Sequence, residues 1–343
     1  MNKKIQNPVL RLGFVPLTDC APLVMAQELG LFRKYDLRVS LQRQLGWATV
    51  RDKIIYGELD AAHALAAMPL AAALGLGSVP CDCLTALVLS LNGNGITVSN
   101  ELFKSCFSRK IPFLTEIRRL RHEKMFTFGV VAPFSSHRHL LRKWLSGQGI
   151  DPDNDVRIVV VPPPQMVANL KAGNLDGFCV GEPWNATAGS ARVGVCIAAS
   201  AELDPGHPEK VLMVRREFAD KHAQEHIALV AALLEACEWC AALENHERLI
   251  STLARPEFVG ASAAALRNGV EGLCLFPDRT NAAPSADKSA WMLEMMRSSG
   301  LCPQPGKLDM LLARRIFRLD LFDQALRLLS TTPNKNEYEV IRS

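Results

Sequence analysis

Apolar and polar positions along this chain switch repeatedly between a strand-like and a helix-like period. Residues 10–15 form a short apolar run, and residues 21–34 repeat their apolar positions at helical spacing as far as Tyr35-Asp36. Residues 37–42 predict a second strand, 47–56 a helix closed by Gly57, and 61–65 a buried strand. A helix over 68–74 ends at Gly75-Leu76-Gly77. This alternation predicts a parallel sheet with helices on both faces. After the apolar stretch 86–90, Asn92-Gly93-Asn94-Gly95 is turn chemistry, and 96–99 opens a second unit. That unit carries strands at 126–130, 157–161 and 177–180, with helices over 136–147 and 164–172 between them. Gly181-Glu182-Pro183-Trp184 marks another break, followed by a strand at 211–215 and long helices from 223 to 244 and onward.

A chain that leaves one α/β lobe, builds a second and returns has two lobes joined by two crossover segments. The expected division is lobe I from 1–97 plus 198–343, with lobe II from 98–197. Ligand clefts in such architectures lie between the lobes, at the carboxyl ends of strands. The segment 308–329 is amphipathic, with Leu311, Leu312, Ile316, Leu319 and Leu321 between Arg and Asp residues. It predicts a helix packed on the first lobe, with a partner-binding helix as the alternative.

Bulk properties narrow the class. The 343 residues fit about two domains of roughly 150 residues. A 48% hydrophobic share supports a real core and excludes disorder for most of the chain. The formal net charge is only +4. The basic cluster from Arg118 to Lys124 therefore reads as a solvated helix face, since a nucleic-acid surface needs a far more basic domain. The longest apolar stretch, 227–243, contains Glu235 and Glu238 and reads as a buried helix instead of a membrane span. Ten cysteines suit a reducing compartment. The pairs Cys81-Asp-Cys83 and Cys237-Glu-Trp-Cys240 read as packing, because a zinc site wants four ligands and no His follows at finger spacing. No metal and no cofactor is expected.

No Gly-x-Ser-x-Gly elbow, Walker A loop or Gly-x-Gly-x-x-Gly turn is present, so the chain does not read as an enzyme. It offers instead hydrogen-bond donors at predicted element ends. Trp47 opens a helix with an indole N–H that can only donate, and Asn94 brings two amide N–H groups to the lobe crossover. His137 stands at a helix start, where backbone N–H groups favour an anion. Lys210 precedes a strand. Taken singly, each has an ordinary explanation: a lid over the core, a turn former, a capping His and a solvated Lys. Together they point to one anion-binding cleft.

The order of motifs adds to this. The stretches from Leu10 to Phe14 and from Leu17 to Leu23, Gly46-Trp47-Ala48-Thr49-Val50-Arg51-Asp52-Lys53 and Asp60-Ala61-Ala62-His63-Ala64-Leu65 come first. Leu91-Asn92-Gly93-Asn94-Gly95-Ile96, Pro162-Pro163-Pro164-Gln165-Met166, Gly181-Glu182-Pro183-Trp184-Asn185 and His207-Pro208-Glu209-Lys210 follow. In this order, from about residue 9 to about 300, the chain resembles the nitrate- and bicarbonate-receptor family of ABC-type solute-binding proteins. The resemblance implies a two-lobed periplasmic-binding-protein-like fold of type II, α/β, with the ligand cleft between the lobes. It implies that Trp47, Asn94, His137 and Lys210 hold the anion. Asn94 stands where the family has a Gln and is one methylene shorter. Five more polar residues of the matched motifs, Thr18, Asp19, His63, Gln165 and Glu182, are secondary cleft candidates.

The resemblance also implies that bicarbonate receptors carry an acid at the Lys210 position and recruit calcium there. A Lys supplies the positive charge itself, which favours nitrate or nitrite. The first predicted strand begins about nine residues after the initiator Met, with no apolar signal region before it. The expectation is accordingly a cytoplasmic nitrate/nitrite sensor, similar to NasS-type proteins, holding a NasT-like ANTAR-type antiterminator inactive until the anion binds. It would insert in no membrane and bind no nucleic acid directly. The alternatives are a substrate-binding component or receptor-like domain of an ABC nitrate, bicarbonate or cyanate transporter, and an enzyme of a related pyrimidine-precursor group, whose His-rich reactive motif is missing.

Overall fold

The apolar runs at 10–15, 37–42 and 61–65 become β1 (Val9–Phe14), β2 (Arg38–Arg43) and β3 (Ala61–Leu65). The structure, a computed structural model, describes residues 8–120, 122–302 and 305–332. β4 (Cys83–Asn92) is buried along its whole length and hands over at Gly93 to β5 (Asn94–Ser99). The second unit supplies β6 (Thr127–Val130), β7 (Arg157–Val160), β8 (Gly177–Gly181) and β9 (Gly194–Ala199). β10 (Pro208–Arg215) and the short β11 (Cys274–Leu275) complete the set.

Two sheets result. One has the order β11-β4-β10-β3-β1-β2, the other β7-β6-β8-β5-β9. The chain passes from the first to the second at Gly93 and returns between Ala199 and Pro208. Asn92 and Gly93 both take positive φ, 55° and 90°, and this sharp joint is why a Gly stands there.

Neither sheet is purely parallel, as the alternation predicted. β1 runs parallel to β2 and β3, but β10 is antiparallel to β3 and β4. Likewise β6 is parallel to β7 and β8, while β5 is antiparallel to β8 and β9. β5 and β10 stand at the two crossings, entering each sheet from the other one and so running against its βαβ strands, and the short edge strand β11 is antiparallel to β4 as well.

Other elements also differ from the sequence pattern. The helix expected over 21–34 is two, Ala21–Glu28 and Leu31–Lys34, broken where Gly30 takes φ 72°. The stretch 308–329 likewise holds Met310–Ile316 and Leu319–Thr331, because Phe317 pairs with Thr85 as an isolated β-bridge. Helices Asn100–Arg109 and Phe113–Leu120 had no clear signal. The second carries Arg118 and Arg119 of the basic cluster on a solvated face, with Arg119 on Glu116 at 2.7 Å, while Lys124 lies beyond it and pairs with Asp176; Arg121 lies outside the described residues.

The core of the six-stranded sheet is built on helix Ala223–Ala241, which packs against Ala21–Glu28, Leu319–Thr331 and β4. Its residues Leu229, Leu233 and Leu234 are wholly buried. Among the described residues no single helix is long and apolar enough to cross a membrane; this helix passes only together with the next, across an 89° bend. Leu233→Ala leaves a cavity that rigid neighbours cannot fill and should cost about 2–5 kcal/mol. A shift of the urea midpoint at unchanged slope checks it.

Candidate functional site

Successive side chains of a regular strand point to opposite faces. β10 breaks that rule where it matters: its pairing with β4 shifts register on both sides of Lys210. Such a bulge re-aims side chains, and here Glu209 and Lys210 both turn into one centre. The Lys210 Nζ lies 2.7 Å from a carboxylate oxygen of Glu209 and 2.7 Å from Asp19 Oδ2. All three groups are buried.

Each neighbour reaches this centre for a local reason. Asp19 sits in the single 3-10 turn that follows β1, and His63 in the middle of β3 donates its Nε2–H to Asp19 Oδ1 at 2.9 Å. Trp47 is the first residue of helix Trp47–Ile55; its ring lies 5.4 Å from the Lys210 ammonium and 5.4 Å from the His63 ring. From the five-stranded sheet, Asn94 at the head of β5 donates Nδ2 to Glu209 Oε2 at 2.6 Å. The Ser135 hydroxyl caps helix Ser136–Gly147 by accepting from the Arg138 N–H. That cap fixes Ser136, whose hydroxyl donates to Glu209, and His137, whose Nδ1 lies 3.7 Å from Glu209 Oε1. His207 Nδ1 stands 3.7 Å from the other Glu209 oxygen. The centre is thus assembled from both sheets.

The charges follow from these partners. Burial alone would raise the Asp19 and Glu209 carboxyls, but Lys210 and the facing imidazoles hold both below their ordinary range. Burial works against the Lys210 ammonium too, yet the two carboxylates raise its pKa. The histidines go the other way: burial lowers His63 and His207, and it pushes His137 down to about 4 against the pull of Glu209. At neutral pH the centre holds two carboxylates, one ammonium and three uncharged imidazoles, so one negative charge remains.

Several buried polar atoms here have no hydrogen-bond partner among the described residues. They are Thr18 Oγ1, Trp47 Nε1, His63 Nδ1, Ser90 Oγ, Asn94 Oδ1, and Nε2 of His137 and His207. Buried polar groups are paired in the great majority of cases. Unpaired donors and acceptors of this kind are able to hydrogen-bond a small polar ligand or water.

All four primary candidates, Trp47, Asn94, His137 and Lys210, meet at this centre, as do Thr18, Asp19 and His63. Glu182 is buried at its margin, where its carbonyl accepts from the Thr18 N–H at 2.8 Å and burial pushes its carboxyl up to about 7. Gln165 is not brought in; it is exposed at the start of helix Met166–Lys171. Two local readings change. Asn94 is no turn former but a strand residue, and Lys210 is no free cation, since both adjacent carboxylates already neutralise it. Its ammonium stands where Asp19 and Glu209 converge, and among the described residues no three His, Cys, Asp or Glu side chains are arranged to hold a metal. Sequence reasoning missed Glu209, Ser136 and His207. Strand alternation puts Glu209 on the opposite face from Lys210, and only the bulge overrides it.

The chain is similar to known proteins in sequence and in fold. Residues 3–254 match the NMT1-like family. The nitrate import ATP-binding protein NrtC of Synechocystis PCC 6803 is 40% identical over 338 residues, covering 93% of this chain and 50% of that protein. The bicarbonate transport ATP-binding protein CmpC of Synechococcus elongatus PCC 7942 is 38% identical over 327 residues, covering 93% and 49%. The chain therefore spans about half the length of these curated relatives. The crystal structure of the periplasmic nitrate-binding protein NrtA from Synechocystis PCC 6803 superimposes with a TM-score of 0.88 at 27% identity, covering 95% of this chain and 89% of that one.

Proposed function

Since this chain belongs to the NMT1-like family, we propose that it is a nitrate-binding, receptor-like component of an ABC-type import system, with the Lys210 centre as its oxyanion site. The single observation that carries this is the set of buried, unpaired polar atoms gathered around the Lys210 ammonium. The relatives' names support it, since they are a nitrate import protein, a bicarbonate transport protein and a nitrate-binding protein. The chain acts by binding and carries out no chemistry on the anion.

Nitrate is planar, carries one charge and can only accept hydrogen bonds. The Glu209 carboxylate presents a similar planar pair of oxygens, and it holds the donors of Asn94, Ser136 and Lys210. Nitrate must therefore share or displace these donors, in a centre that already has one excess negative charge. A second uncompensated buried anion costs several kcal/mol. Nitrate binding is accordingly coupled to uptake of a proton by His137 or Glu209. If the His137 Nδ1–H faces Glu209, its Nε2 can donate to nitrate only as imidazolium.

One observation favours a second anion. Bicarbonate brings its own O–H, which can donate to the Glu209 or Asp19 carboxylate without an added proton. The sensor reading, cytoplasmic and partnered by a NasT-like antiterminator, draws no support from the relatives, whose names speak of import, transport and nitrate binding. Pull-down from native cells discriminates: importer subunits support the proposal, whereas an antiterminator released by nitrate replaces it.

Trp47 tests the site. Trp47→Ala removes an unpaired buried N–H donor and the ring over the ammonium. A hydrogen bond to a charged group is worth roughly 1.5–3 kcal/mol, so nitrate affinity in calorimetric titration should fall by roughly tenfold or more in a protein that still folds. Unchanged affinity removes Trp47 from the site.

A further inference from the structure

Cys81 and Cys83 play no part in the anion centre. Their Sγ atoms nonetheless lie 3.7 Å apart, with Cys83 donating to Cys81. Cys83 opens β4 and is buried, whereas Cys81, in the loop before it, is half-buried and reachable from solvent. Asp82 between them is drawn outward, its Oδ2 accepting from Arg216 Nε at 2.7 Å, so both thiols turn to the same side. Arg215 stands opposite Cys83 in the β10–β4 ladder. Its Nε–H is buried and has no partner among the described residues. The same guanidinium donates through Nη1 to Glu217 at 3.0 Å, so what it offers the two facing thiols is its positive charge and the one unpaired Nε–H, a setting that favours thiolate.

We propose that Cys81 and Cys83 are a reversible redox modification site, oxidised by peroxide to a disulfide that ties the loop to the start of β4, with Cys81 reacting first. The Cys81 thiolate attacks one peroxide oxygen, the O–O bond breaks, and the departing hydroxide is protonated to water, leaving a sulfenic acid. The Cys83 sulfur then attacks the Cys81 sulfur, the S–O bond breaks, and the oxygen leaves as water with the Cys83 proton. Two thiols are oxidised and the peroxide is reduced to two waters. The sulfurs close from 3.7 Å to the bonded distance of about 2.05 Å. A dithiol reductant reverses the step by exchange.

Cys196 and Cys106 are poorer nucleophiles. The hydrogen bond from Cys83, opposed by burial and aided by Arg215, draws the Cys81 thiol down to about 7. Cys196 is exposed but burial of its sulfur pushes it up to about 11, and burial likewise pushes Cys106 up to about 11.

The test uses the full chain, treated with hydrogen peroxide at neutral pH and digested with trypsin without reduction. The peptide Ile54–Lys104 contains Cys81 and Cys83 as its sole cysteines. It should lose two hydrogens before any other cysteine is modified, and dithiothreitol should restore them. Cys81→Ser should abolish this fast reaction, and Cys196→Ser should leave it unchanged. Retention of both thiols in that peptide while another cysteine oxidises overturns the proposal, as does a fast reaction that survives Cys81→Ser.

Discussion

Lys210→Met should both destabilise the fold and abolish nitrate binding. The ammonium lies 2.7 Å from each of two buried carboxylates, and no other cation approaches them among the described contacts. Removing one partner of a buried ion pair leaves an uncompensated charge and costs roughly 3–5 kcal/mol. Here two carboxylates lose the same partner, so one must take up a proton or the centre must open. Urea unfolding at pH 7 measures the loss. A Lys210→Met protein as stable as its parent shows that the ammonium is not what neutralises Asp19 and Glu209.

Glu209→Gln should act in the opposite sense on the ligand. Two like charges about 5 Å apart at an effective dielectric of about 20 repel by about 3 kcal/mol. The amide keeps an acceptor for Asn94 and Ser136 but removes that repulsion. Nitrate affinity should therefore rise by roughly tenfold or more, and the variant should need no proton to bind. Weaker binding by this variant identifies Glu209 as a scaffold for the donors instead of an occupant competing with the anion. Bicarbonate separates the two readings further, since its own O–H loses a carboxylate acceptor in the same variant.

The parts of this site that were legible in the sequence are those fixed by local chemistry. Trp47 opens its helix and Ser135 caps the one that carries His137, as the pattern of caps and apolar positions requires. β3 begins and ends at the expected residues because a five-residue apolar run between turns has little freedom. The resemblance of ordered motifs then supplied what spacing alone could not, the convergence of residues from distant segments. Glu209 remained hidden because its orientation depends on a register shift between β10 and β4, and register is set by the partner strand. The direction of β5 and β10 was equally hidden, since it depends on which sheet the chain arrives from. The charge on Lys210 was legible as a residue type but not as a balance, which needs Asp19 and Glu209 in place.

Proton uptake distinguishes this centre most directly from a simple cationic pocket. His137 is uncharged at neutral pH, with burial holding it at about 4. An adjacent nitrate raises that value, so the bound form holds the proton more tightly than the free form. Affinity must then be highest at low pH and fall as pH rises through the bound-state pKa, by up to about tenfold per unit. The measurement is calorimetric titration of the intact chain with nitrate at pH 6 and pH 8, each in two buffers of different ionisation enthalpy. The expected result is one nitrate per chain, tighter at pH 6, with a heat that changes with the buffer. Equal affinity at both pH values with a buffer-independent heat, or saturable nitrate binding that survives Lys210→Met, contradicts it.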